Sequence, residues 1–537
     1  MNRKEGILWI IAGLTGLALF CLFFRQVFPT ASIDIKITRN KALYEAVRFI
    51  KKQGFGPEEF DYAVRFASDY IASVYLQNIG IKNFSVALKE DVSIWFWRVK
   101  LFKELKKRGF IVDIDPSKGK VIRFYYSILE NARGKNLDKD TAYRIAKDKL
   151  RREGIDLGNY ILMDSVKKIQ KNRTDYAFVW EKKGFKIKEA TLRIRVDIYG
   201  EKLGFYRKYL KVPEEFLRKL EAQSSGGKVL YMVSIISTFI LIICAVFNFL
   251  LKPQPIDIKW RIPFVLGSAV VVFKIISFLN GFPLMWSFYS NTVSKSLFIA
   301  MSFQNTLIDA FYSGFMVFSL GVLGSITSQN TLKRDWTILE RDNLSINASA
   351  ITSIIIVGYS LGVIFLGYIT LFYLIGGHFF HIWMVPSTRY ANFLSTFFPF
   401  LYPLTFSLEA ALGEEFMFRM FLITFLLKYT KKPYVALLIS ALLWGFAHST
   451  YPVFPVYIRA IELTIFGYFM GWVFIKYGIE AVIIAHYTMD ALLIGIPLFN
   501  SKNFYFIFSG IIVLLVIALP LFLYTLRGYR FFIFKKS

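Results

Sequence analysis

Glu414 and Glu415 stand together in an otherwise apolar run, Leu412-Gly413-Glu414-Glu415-Phe416-Met417-Phe418-Arg419. Two polar intrusions follow downstream: His448, closing Trp444-Gly445-Phe446-Ala447-His448, and His486 with Asp490 in His486-Tyr487-Thr488-Met489-Asp490. The chain has only four histidines, and two of them are these. A carboxylate or imidazole at membrane depth is costly unless it is paired or faces a wet cavity, so such residues mark function. Adjacent residues on a helix diverge by about 100°, so the two glutamates cannot point the same way. Glu415 and Arg419, four residues apart, can pair across one turn, which leaves Glu414 free for other work. The same pattern alone also fits a buried ion-pair network that ties helices together. Joined by two imidazoles and Asp490, it fits chemistry better. Glu414, His448 and His486 can hold zinc or another divalent metal with an open water position. Without a metal, Glu414 can deprotonate water while the histidines and Asp490 hold the oxyanion. Both routes end in water attacking an amide.

These residues need helices in a membrane to carry them. The chain has 537 residues, 55% of them hydrophobic, and a mean hydropathy of +0.45. Several runs of about 20 apolar residues can each cross a ~30 Å hydrocarbon core. The first, Gly6 to Phe24, follows a short charged leader and reads as a retained anchor within residues 1–28; a cleaved signal peptide is the competing reading. Nine further spans are predicted at about 229–250, 262–282, 303–325, 349–373, 394–427, 433–449, 455–475, 479–497 and 503–525. The chain therefore reads as a polytopic α-helical membrane protein with an α+β soluble domain inserted between spans 1 and 2. Residues 229–393 hold spans 2 to 5, and 394–537 hold the chemistry-bearing helices and a basic tail. Alternate loops carry Lys252, Lys259 and Arg261, then Lys333, Arg334 and Arg341, then Lys428, Lys431 and Lys432, then Lys476; the termini add Arg3, Lys4, Arg527, Arg530, Lys535 and Lys536. The intervening loops carry single charges, Lys295, Arg389, Arg459 and Lys502. This asymmetry predicts both termini in the cytoplasm and residues 31–226 outside it. Cys21 and Cys244 both lie in predicted spans, so no disulfide framework or cysteine zinc cluster is available.

Most of the net charge of +28 belongs to one polar block, because residues 31–228 hold 43 Lys/Arg against 26 Asp/Glu, a net of +17. The basic residues alternate with acids at helical spacing, which suits a solvated surface near anionic lipid or wall polymer better than nucleic acid. The block repeats internally, over about 40–128 and 139–213. Ala42 to Gln53 and Thr141 to Arg152 read as basic amphipathic helices. Ile111 to Val121 and Val196 to Leu203 read as strand, turn, strand, with Gly119 and Gly200 where a hairpin needs positive φ. A helix followed by such a hairpin resembles the PepSY domain, here in tandem. That resemblance implies an association with protease inhibition, and so a lid over the site; recruiting substrate is the alternative role.

The order Glu-Glu-x-x-x-Arg, then aromatic-x-x-x-His, then His-x-x-x-Asp, on successive hydrophobic helices, resembles the CPBP (Abi) family of intramembrane proteases. That family includes type II CAAX prenyl proteases and bacteriocin-processing or immunity proteins. Glu414, Glu415 and Arg419 match its first motif, His448 its second, and His486 with Asp490 its third. Trp444 stands where Phe is usual, and Asp490 where CAAX-processing members carry Asn. The resemblance spans roughly Leu394 to Phe499 and implies an intramembrane endopeptidase in which glutamate-activated water cuts a membrane-associated or lipidated protein or peptide, with metal involvement commonly ascribed. A non-catalytic membrane immunity or scaffold protein is the alternative, and a proton-coupled transporter a weaker one, since no inverted repeat is evident. No His-Glu-x-x-His zinc helix and no Gly-x-Gly-Asp motif is present. His378 and His381 fit interfacial residues among aromatics better than a peripheral metal pair. Helix rise places Glu414, His448 and His486 roughly 15–24 Å from the basic loops. One shared layer, opening towards the soluble domain, is expected.

Overall fold

The computed structural model describes residues 1–80, 87, 92–251, 258–333, 348–385 and 391–534, and of these the side chains of 348–349 and 523–534 are not described. Lys252, Arg334, Arg341, Arg389, Lys535 and Lys536 lie outside the described residues. An apolar helix, α1 (Arg3–Val27), leads into a sheet domain, and the rest of the chain is a helical bundle.

The sheet domain is built twice from the same parts. In the first half α2 (Arg39–Lys52) precedes β1 (Asp61–Ser68), α3 (Tyr70–Asn78), β2 (Trp95–Lys103), β3 (Lys106–Ile114) and β4 (Val121–Ser127). In the second, α4 (Lys139–Arg152) precedes β5 (Tyr160–Gln170), β6 (Arg173–Ile187), β7 (Ala190–Tyr199) and β8 (Lys202–Lys211). Thr38 and Asp138 cap the two helices by accepting the backbone N–H of Lys41 and Thr141. The strands form one sheet in the order β1-β2-β3-β4-β8-β7-β6-β5, so two antiparallel meanders join through their last strands. Gly119 and Gly200 take φ of +70° and +60° at the matching hairpin turns, a conformation that L side chains rarely adopt. Alternation drives the core: Trp97, Val99 and Leu101 point inward while Arg98 and Lys100 are half-exposed. Ala42, Ala46 and Ile50 of α2 and Ala142, Ala146 and Leu150 of α4 are buried in that core.

The bundle begins without a break. Helix α5 runs from Glu214 to Leu251, so the expected boundary at residue 226 falls inside one continuous helix. Then come α6 (Arg261–Asn280), α7 (Lys295–Leu332), α8 (Ala348–Phe379), and a two-residue strand β9 (Trp383–Met384). Helix α9 (Leu401–Glu414) passes through a π-helical stretch, Glu415–Ile423, into α10 (Thr424–Thr430). The chain ends with α11 (Pro433–Phe446), β10 (Val453–Phe454), α12 (Ile458–Tyr477), α13 (Ile479–Phe499) and α14 (Phe504–Phe534). Among the described residues eight helices are long and apolar enough to cross a membrane, and α11 is a shorter apolar helix. The protein is thus a multi-pass membrane protein with an α+β domain near its N-terminus. Free Cys21 and Cys244 are exposed.

The sheet docks on one end of the bundle. Edge strand β1 has its Phe66 N–H capped by Ser395 Oγ at 2.8 Å, and Arg39 Nη1 donates to the Ser395 carbonyl at 3.0 Å. Lys100 donates to the Tyr289 carbonyl, and Lys295 pairs with Asp61. At the opposite end, Lys476 and the Tyr477 hydroxyl bond to Glu5, and the Trp9 indole N–H donates to the Tyr477 hydroxyl at 3.2 Å. The loops at 281–295, 391–400 and 500–503 therefore share the sheet's end, and the N-terminus shares the other end with the loops at 431–432 and 476–478.

Candidate active site

Four helical segments bring the chemistry together. Glu414 ends α9, Glu415 and Arg419 lie in the π-helical stretch, His448 follows α11, and His486 and Asp490 project from α13. A π turn widens the helix and is frequent at functional positions.

Glu414 faces a cavity of about 230 Å³ whose lining includes His448, His486, Asp490 and Trp444 but neither Glu415 nor Arg419. Its Oε2 accepts the Trp444 indole N–H at 2.6 Å. The same oxygen stands 3.7 Å from His448 Nε2 and 4.0 Å from His486 Nε2. Polar atoms at these separations fit a bridging water better than direct bonding. His448 Nδ1 lies 2.8 Å from the Trp444 carbonyl; that oxygen can only accept, so Nδ1 carries hydrogen and Nε2 is the atom turned to Glu414.

Glu415 lies behind, with no exposed surface. Its Oε1 receives Arg419 Nη1 at 3.1 Å and His486 Nδ1 at 2.7 Å. The expected pairing with Arg419 is present, and Glu415 has a second duty that spacing did not show: it fixes the ring of His486. The opposite edge of that ring, Nε2, sits 3.5 Å from Asp490 Oδ2, one turn along α13. The Arg419 guanidinium carbon stacks 4.0 Å from the Trp444 ring centre. Trp444 is itself fully buried, and a Cβ on Gly467 of α12 would come within 2.7 Å of its ring, so only glycine lets α12 close on it. The departure from Phe to Trp thus supplies a hydrogen-bond donor to Glu414 as well as an aromatic wall.

The donor set does not fit a divalent ion as it stands. Among the described residues no three His, Cys, Asp or Glu side chains come together as a metal-holding group, and the Glu414 oxygen nearest the imidazoles already takes the indole N–H. His378 and His381 are exposed at and just beyond the C-terminal end of α8 and do not line this cavity.

Arg459 departs from its expected place as a loop charge. It lies in the first turn of α12, lines the same cavity and is only 16% exposed. Its Nη1 donates to Glu462 Oε2 at 2.6 Å, and the Tyr373 hydroxyl donates to that oxygen at 2.7 Å. Glu462 has no exposed surface, and sequence reasoning passed over it inside an apolar span. A second Glu at i+3 from an Arg was the available signal. The cavity wall also includes Phe28, Pro29 and Thr30, where α1 leaves for the sheet domain, and Met384 and Val453 of the β9–β10 ribbon.

Residues 396–492 match the family of type II CAAX prenyl endopeptidase Rce1-like proteins. The chain is also 22% identical over 516 residues to the sporulation-killing factor biosynthesis protein SkfC of Bacillus subtilis (strain 168), a match covering 94% of this chain and 97% of that protein. No solved structure matches the chain. The C-terminal region thus carries an Rce1-like CAAX endopeptidase domain, and every residue of the clustered site lies within it.

Proposed function

We propose that this Rce1-like domain makes the chain an intramembrane endopeptidase, hydrolysing a peptide bond in a membrane-associated or lipidated protein or peptide. The observation that carries the reading is the isolation of Glu414: a carboxylate facing a cavity, held by one indole N–H, with two imidazole nitrogens about a water's width away. Glu414 takes a proton from a water bridging it to the histidines as the water oxygen bonds to the scissile carbonyl carbon. His448 and His486, when they carry hydrogen on both ring nitrogens, donate through Nε2 to the oxygen on which charge develops. The tetrahedral centre then collapses, the C–N bond breaks, and the proton held on Glu414 passes to the departing nitrogen. Glu415, Arg419 and Asp490 hold His486 in place.

The alternation of basic loops favours ten crossings, with both termini in the cytoplasm, the sheet domain outside it and the cavity reached from the sheet's side. The relative named for sporulation-killing factor biosynthesis favours maturation of a biosynthetic product over general turnover. To test the reading, the purified full-length protein in lipid nanodiscs is incubated with a pool of farnesylated and unmodified membrane peptides, and new termini are sought by mass spectrometry. Wild type is expected to generate them and Glu414→Ala is not. Cleavage unaffected by Glu414→Ala would reject the mechanism, and no cleavage by folded wild type would favour a scaffold.

A further inference from the structure

Among the described residues, three buried clusters pair an arginine or a histidine with carboxylates in this bundle, and they differ in what they show the cavity. Glu415 and Arg419 lie behind it, and Glu414 with the histidines forms its reacting wall. Arg459 is the third. It presents a permanent cation to a space otherwise walled largely by apolar side chains such as Leu463, Leu493 and Ile494.

The arrangement around Arg459 differs from that of an internal tie. Its partner Glu462 does not line the cavity, has no exposed surface, and is fixed from a third helix by Tyr373. Glu462 therefore orients the guanidinium from behind through Nη1, as a positioning residue. Arg459 Nε is buried and has no hydrogen-bond partner among the described residues, and the same is true of Glu462 Oε1 in the same ion pair. A buried donor without a partner carries a desolvation penalty, which a ligand acceptor would remove. The guanidinium fork suits a carboxylate, which it can bind through two parallel N–H bonds.

Its position relative to the chemistry is also defined. The Tyr451 ring lies 5.2 Å from the His448 ring, and the Arg459 guanidinium carbon lies 5.5 Å from the Tyr451 ring centre. An extended peptide advances about 3.3 Å per residue, so a chain whose scissile bond sits at Glu414 can reach Arg459 within a few residues.

We infer that Arg459 is a specificity residue that binds a carboxylate of the substrate, either the free C-terminus or an acidic side chain, a few residues from the scissile bond. The inference rests on the reading that the cavity takes a peptide. It is tested by binding, so that its failure is separable from failure of the peptidase reading. Short apolar peptides are prepared with a free C-terminal carboxylate, as C-terminal amides, and as amides bearing one Asp. Each is titrated into the full-length protein in nanodiscs, followed by tryptophan fluorescence. Wild type is expected to bind one or both carboxylate forms at least tenfold tighter than the plain amide, and the form preferred identifies the source. In Arg459→Gln this preference disappears, while affinity for the plain amide stays within about twofold. Because Arg459→Gln leaves Glu462 as an unpaired buried charge, the double variant Arg459→Gln/Glu462→Gln is measured beside it and is expected to lose the same preference. Equal affinities in wild type, absence of binding by every peptide, or a preference that survives in either variant would overturn the inference. Carboxylate preference in a protein that cleaves nothing would instead reject the peptidase reading and leave this site standing.

Discussion

The sheet domain and the helical bundle place most of their charge differently. In the sheet, Phe66, Trp97, Phe124 and Phe178 fill the interior, and most ion pairs reach water through at least one partner, as Arg98–Asp113 across two strands and Arg195–Asp197 along one do; Arg173–Asp175 is a buried exception. In the bundle, large apolar residues such as Phe247, Phe311 and Leu515 are exposed, while Arg419 and Glu415 are 1% and 0% exposed on their side chains. A water-facing domain can leave its ions outside at little cost. A lipid-facing bundle has only its interior for them, so each buried charge must be partnered by the fold. The same residue types therefore carry different weight in the two regions, and mutation should expose the difference.

The largest effect is expected at Arg419. Arg419→Leu removes one member of a buried pair and should lower the stability of the bundle by about 3–5 kcal/mol, read from thermal unfolding in nanodiscs. A loss near zero would break the contrast. Next is Trp444→Phe, which keeps the aromatic wall but deletes the N–H given to Glu414. The loss of one bond to a charged group, about 1.5–3 kcal/mol, should lower peptide cleavage roughly tenfold to a hundredfold without unfolding the protein. In the sheet, Arg98→Ala should cost about 1–3 kcal/mol, because Asp113 is buried but retains Arg123 nearby. At the small end, Lys219→Ala breaks an open pair with Glu215, both exposed, and should leave the unfolding curve unchanged.

Much of this contrast was legible before any fold was known. Residue type alone singled out Glu414, His448, His486 and Asp490, because charges in apolar runs are expensive, and spacing alone paired Glu415 with Arg419. Glycines at 119 and 200 marked the matching hairpins, since their turns exclude most side chains. What escaped depends on contacts between helices. The π-helical stretch has no local signature in Glu415–Ile423, and a helical period of 3.6 cannot foresee it. Glu415 reaching His486 joins residues far apart in the chain. Arg459 reads as a loop charge because it opens a helix, and Glu462 is hidden inside an apolar span. Only packing shows that the two belong together.

The central claim is the division of labour between adjacent glutamates, and one paired measurement tests it. Cleavage rate and melting temperature are recorded together for Glu414→Gln and Glu415→Gln in the full-length protein. Glu414→Gln is expected to lose about 10²–10⁴-fold in rate with its melting unchanged, while Glu415→Gln melts at clearly lower temperature because Arg419 and His486 lose their common partner. Near-wild-type cleavage by a folded Glu414→Gln protein would contradict it.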